Sequence, residues 1–122
     1  MIMSSKDRTI ENLVELDGIS YVIDDHLGLW VKFEAKKIES TSNRPHGVRY
    51  SLTLHDRSGN RIMGFDNAHA IKYGRKNNVS PKHVHDHWHR DKSDKGRPYI
   101  YENAAKLLED FWKEVNKILK TK

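Results

Sequence analysis

The strongest constraint on the fold is a two-residue hydrophobic period in the middle of the chain. Leu29, Val31, Phe33 and Ala35 alternate with Trp30, Lys32, Glu34 and Lys36, and Tyr50, Leu52 and Leu54 alternate with Arg49, Ser51, Thr53 and His55. A helix would scatter these apolar groups around its axis, so the spacing predicts half-buried strands over 29–39 and 49–55. Ser58-Gly59 makes a turn into a return strand over 61–70, whose Met63 and Phe65 must join the same apolar face. That requirement sets Leu54 opposite Met63 and Leu52 opposite Phe65, because a one-residue slip would turn every apolar side chain to water. Ser51 then faces Asp66, with Arg49 diagonal to it. The sheet acquires a polar face of Arg49, Ser51, Thr53 and Asp66, near which Lys32 and Glu34 are placed.

The surest helix lies at the end of the chain. Ala104, Leu108, Phe111, Trp112, Val115, Ile118 and Leu119 recur at helical spacing, with Lys106, Glu109, Asp110, Lys113 and Lys117 on the other side and Asn103 placed to cap the first turn. This helix should cross the apolar face, burying Phe111 and Trp112 against Phe33, Leu52 and Phe65. Nearer the start, Asp17-Gly18 between residues 12–16 and 19–23 reads as the turn of a β-hairpin. Residues 24–28 and 40–47 read as loops, and 72–98, rich in Gly, Asn, Pro and Ser, as a loop with at most one short strand. The expectation is a single α+β domain over 1–122: an antiparallel sheet of about four to six strands with a C-terminal amphipathic helix on one face, after a mobile stretch over 1–11.

Composition narrows the function. Among 122 residues there is no Cys, so neither a disulfide framework nor thiolate chemistry is available. No leader-like apolar run opens the chain and no segment is long enough to span a membrane, which predicts a cytoplasmic protein. The formal net charge is +5, and it is unevenly spread: residues 1–60 carry eight Lys/Arg against nine Asp/Glu, residues 61–122 fourteen against eight. The second half therefore carries the field that would hold a polyanion.

The run His83-Val84-His85-Asp86-His87-Trp88-His89-Arg90 is the most unusual feature. On a strand its His residues share one face; on a helix they pair four apart. Imidazoles can take a proton from a ribose 2′-hydroxyl and return one to a leaving 5′-oxygen near neutral pH, which makes His83, His85 and His87 acid–base candidates. The same three could hold Zn²⁺ or another divalent metal, with Asp86 orienting a ligand, or the run could be a solvated polar loop. Asp66 and His69 form a second candidate pair, able to cooperate only if the strand ends near Asn67. The plainer reading has Asp66 paired with Arg49 and His69 capping the core. Arg49, on a rigid strand, is the choice for stabilising a phosphorane-like transition state. Arg44, His46, Lys72, Tyr73, Arg75, Lys76, Lys82, Trp88 and Arg90 would hold RNA through phosphate contacts and base stacking, unless they are only a solvated basic face. No Gly-rich phosphate loop or nucleophile elbow is present, which sets aside ATP-dependent and serine-hydrolase chemistry.

Six segments carry a further likeness: Leu16-Asp17-Gly18, Trp30-Val31-Lys32-Phe33-Glu34-Ala35-Lys36, Pro45-His46-Gly47-Val48-Arg49-Tyr50-Ser51-Leu52, Gly64-Phe65-Asp66-Asn67-Ala68-His69, the His-rich run, and Leu107-Leu108-Glu109-Asp110-Phe111-Trp112. In this order, over residues 13–119, the chain resembles the TumE-like toxins of toxin–antitoxin systems. The resemblance implies a toxin encoded beside a helix-turn-helix antitoxin that neutralises it by direct binding. It brings no catalytic residues with it, so the site rests on the chemistry above. The leading expectation is a metal-independent ribonuclease that needs no cofactor. The alternatives are a non-catalytic RNA-binding or protein-interaction module and a metal-dependent enzyme using His83, His85 and His87. Self-association into a homodimer stays open.

Overall fold

The computed structural model describes residues 9–40, 46–67, 71–73, 82–84, 86–94 and 96–122, with the backbone alone over 71–73 and 82–84. Ten elements follow one another: α1 (Ile10–Val14), β1 (Ser20–Asp24), β2 (Leu29–Lys37), β3 (Val48–His55), β4 (Arg61–Asp66), β5 (Ile71–Tyr73), β6 (Lys82–Val84), β7 (His87–His89), β8 (Arg97–Pro98) and α2 (Ala104–Thr121). Six strands form one antiparallel sheet in the order β1-β2-β3-β4-β7-β8, and β5 pairs with β6 apart from it. The fold is α+β, as the alternation predicts. Among the described residues no helix is long and apolar enough to cross a membrane.

The β3–β4 register is the one the apolar pattern demands, with Leu52 opposite Phe65, Leu54 opposite Met63 and Ser51 opposite Asp66. Its apolar face is covered by α2, whose Leu107, Phe111 and Val115 are fully buried. The Phe111 ring meets Phe33 and Phe65 edge-on, at centroid distances of 5.7 and 6.3 Å, and Trp112 tilts against Phe33 at 6.1 Å. The helix starts where Asn103 accepts a hydrogen bond from Lys106 N at 2.8 Å, satisfying one of its free amides.

Two sequence expectations are corrected. Residues 12–16 are not a hairpin strand: Ile10 and Leu13, three apart, form the buried side of α1, with Val14 packed against the core. Asp17-Gly18 then joins the helix to the sheet. Asp17 accepts from Ala35 N at 2.9 Å and from Lys36 Nζ at 2.9 Å, and Gly18 N donates to Phe33 O, so the acid ties the chain to β2 instead of turning a hairpin. A five-residue helix is one and a half turns, too short to declare a period. The second correction concerns 72–98, where four short strands replace the loop. Strands of two or three residues show no alternation of their own; β7 and β8 belong to the sheet because β4 offers β7 a free edge.

Candidate functional site

The position of β7 decides the chemistry. It pairs with β4 so that Asp66 lies opposite His87, Phe65 opposite Trp88 and Gly64 opposite His89. Successive side chains point to opposite faces. His87 and His89 therefore join Asp66 on the polar face of the sheet, while Asp86 and Trp88 turn to the helix face.

On the polar face, His89 Nε2 lies 3.2 Å from Asp66 Oδ2 and His87 Nε2 lies 3.4 Å from Asp66 Oδ1. His89 Nδ1 meets Asp94 O at 3.0 Å. All three side chains are buried. The hydrogen bond to Asp66 holds the His89 imidazole above its ordinary pKa, with burial opposing and the Asp94 carbonyl assisting. Asp94 is itself fixed. Burial opposes its ionisation, but hydrogen bonds from Gly96 N, Arg90 N and Arg97 Nε outweigh it and bring the carboxyl down to about 2. Gly64 lets its neighbours close in: a Cβ there would fall 3.0 Å from Thr53 Cγ2 and 3.2 Å from Leu52 O.

On the helix face, Asp86 gathers a different set. Its Oδ1 pairs with His46 Nε2 at 2.9 Å and its Oδ2 accepts from Tyr50 Oη at 2.7 Å. Tyr50 is buried, and burial together with the Asp86 charge pushes its phenol well above the ordinary range, so it stays protonated and donates. His46 stacks on Tyr101 with ring centroids 3.9 Å apart. Its side chain is 23% exposed, so the ring is anchored from within and reachable from without.

Arg49 stands exposed on β3, opposite Lys36, and lines a recess with Asp17, Glu34, Lys36 and Ser51. Asp66 faces His87 and His89, not Arg49 or the core. β4 ends at Asp66, and the buried Asn67 clamps β3, accepting from Tyr50 N and donating to Val48 O, both at 2.8 Å. Trp88, expected as a stacking platform for bases, is half-buried, with Phe65 stacked on it at 5.6 Å and the Arg97 guanidinium 5.6 Å from its ring centre. It serves the core first, because Phe65 pairs beside it on the apolar face. Arg90 is exposed and donates its amide to Asp94. The backbones of Lys72, Tyr73, Lys82 and His83 form the β5–β6 pair, with Lys72 opposite His83. Arg44, His69, Arg75, Lys76 and His85 lie outside the described residues. Among the described residues, then, only His87 of the three expected metal ligands joins a cluster with the spacing of a metal site, and its companions are Asp66 and His89.

Three residues of these clusters were not named as candidates. His89 was legible in the alternation of its run; Tyr50 read only as core, and Tyr101 carried no signal. The set converges through space from distant positions: His46 and Asp86 are forty residues apart, and His46 and Tyr101 lie further still.

A family model described as toxin TumE matches residues 12–119. The chain belongs to the TumE toxin family. It is thus the toxin component of a toxin–antitoxin system, and an antitoxin is its partner. No curated protein and no solved structure matches it.

Proposed function

We propose that this TumE-family toxin is a ribonuclease that cleaves RNA by transesterification without a metal at the reacting phosphate, and that His46, held by Asp86, is its acid–base residue. The observation that carries the reading is the 2.9 Å contact between His46 Nε2 and Asp86, with Tyr50 saturating the other carboxylate oxygen. Asp86 as acceptor keeps a proton on Nε2 and leaves Nδ1 basic. That nitrogen removes the 2′-hydroxyl proton, the 2′-oxygen attacks phosphorus, and the 5′-oxygen leaves with a proton from a second acid. His69, His83 and His85 are the candidates for that acid, and Arg49 for charge stabilisation at the phosphate. Arg44, Lys72, Tyr73, Arg75, Lys76, Lys82 and Arg90 supply the cationic and stacking surface that holds the strand. The antitoxin is of helix-turn-helix type and neutralises by covering this surface in the cytoplasm.

The test is scission of a labelled structured RNA, with the product ends identified. Transesterification leaves a 2′,3′-cyclic phosphate and a 5′-hydroxyl. His46→Ala should lower the rate at least about a hundredfold while RNA binding persists. Binding without scission by the wild-type chain would sink the enzymatic reading in favour of toxicity by occupancy. Products ending in 3′-hydroxyl would point to metal-dependent hydrolysis.

A further inference from the structure

We propose that Asp66, His87 and His89 bind one divalent transition-metal ion of the Zn²⁺ class on the polar face of the sheet, opposite the His46–Asp86 pair. The two imidazoles and the carboxylate offer ligand atoms that all lie within 4.8 Å of one another. The two direct separations, 3.2 Å from His89 Nε2 to one Asp66 oxygen and 3.4 Å from His87 Nε2 to the other, are each close to the roughly 3.3 Å between neighbouring ligand atoms around a tetrahedral ion with bonds of about 2.0–2.1 Å. The His87 and His89 rings stand at 90° with centroids 5.2 Å apart, so they do not stack on each other.

The surroundings are those of a ligand set. His89 Nδ1 faces the Asp94 carbonyl at 3.0 Å, which places a proton there, so an ion that displaces the Nε2 proton shared with Asp66 meets the Nε2 lone pair. A metal-bound histidine is oriented in this way by a carbonyl behind it. The loop that presents the carbonyl is braced by the Asp94 carboxylate, which holds Arg90 N, Gly96 N and Arg97 Nε. Asp66, His87 and His89 are 6, 1 and 6% exposed, on a sheet face whose other members are largely polar and wet. Withdrawing an anionic carboxylate and two imidazoles from water together is costly unless something cationic repays the lost hydration. Two His and one carboxylate form the three-ligand set that Zn²⁺ takes when a further position is left for water or another donor, and borderline nitrogen and oxygen donors favour such an ion over Mg²⁺ or Ca²⁺.

The ion would also have a structural task. Asp66 sits at the end of β4, whereas His87 and His89 are the first and last residues of β7, a strand of three residues. One ion joins both ends of that short strand to its neighbour.

The experiment uses the full-length chain without an affinity tag, stripped of metal and titrated with Co²⁺, with Zn²⁺ as competitor. The expected result is one equivalent of Co²⁺ giving the intense visible absorption of four- or five-coordination, displaced by Zn²⁺. It is kept in a His83→Ala/His85→Ala double variant and lost in Asp66→Asn. The chain has no cysteine, so His89→Cys should add a thiolate-to-cobalt charge-transfer band that no other residue can produce. The wild-type spectrum and the double variant decide the matter even where a buried substitution prevents folding. Only the weak absorption of six-coordinate Co²⁺ in the wild type, or uptake abolished by the His83/His85 pair, would overturn the assignment. RNA scission is not read in this experiment, so the ribonuclease proposal stands or falls separately.

Discussion

Asp94 lies outside every cluster that could perform chemistry, yet it holds one of them in place. Its carboxylate collects three donors while its carbonyl orients His89. A carboxyl whose folded pKa lies below its unfolded value contributes stability that is present above the unfolded pKa and is lost as pH falls through the folded one. For Asp94 that window runs from 3.8 down to about 2. Urea denaturation across this range should show Asp94→Asn less stable than wild type at neutral pH, with the difference shrinking towards pH 2; a pH-independent difference would refute the account. Asp86 illustrates the same economy, since both of its oxygens are engaged and each contact was invisible as a pair in the sequence. The sequence does reveal that Asp66 faces the polar side of the sheet, because parity along β4 requires it. Its actual partners depend on where β7 docks, and a three-residue strand does not announce its neighbour.

At the scale of elements, legibility tracks length. β2, β3 and α2 span 9, 8 and 18 residues and could be read from periodicity, down to the register between β3 and β4. α1, β7 and β8 could not, since their few apolar groups gain meaning only from tertiary contacts. The cap of α2 is a place where local chemistry sufficed. Asn103 accepts from Lys106 N, and the preceding chain is fastened to the helix by Tyr99 Oη donating to Asp110 at 2.6 Å. Asn103→Ala should therefore cost about 1 kcal/mol of unfolding free energy, measurable by chemical denaturation, whereas Asn103→Gly should cost only a few tenths.

For the whole molecule, charge and topology divide the labour. Excess Lys and Arg lie in the second half of the chain, which supplies β4 to β8 and α2, while the first half builds α1 and β1 to β3. If those cations meet phosphates, the logarithm of RNA affinity should fall linearly with the logarithm of salt concentration. Replacing Lys72, Arg75 and Lys76 together by Ala should then lower the slope by up to roughly two units, at about 0.7 per phosphate contact on a single strand. An unchanged slope in filter binding would remove these residues from the interface.

The two-sided use of β7 has an evolutionary consequence. Its odd and even residues serve opposite faces, so substitutions can tune His87 and His89 without touching Asp86 or Trp88, and the reverse. Insertions enjoy no such independence. One residue gained or lost between Asp86 and His89, with the strand still docked on β4, would put the two clusters out of parity with each other. The number of residues between Asp86 and His89 is thus as constrained as the kinds of residue that stand there.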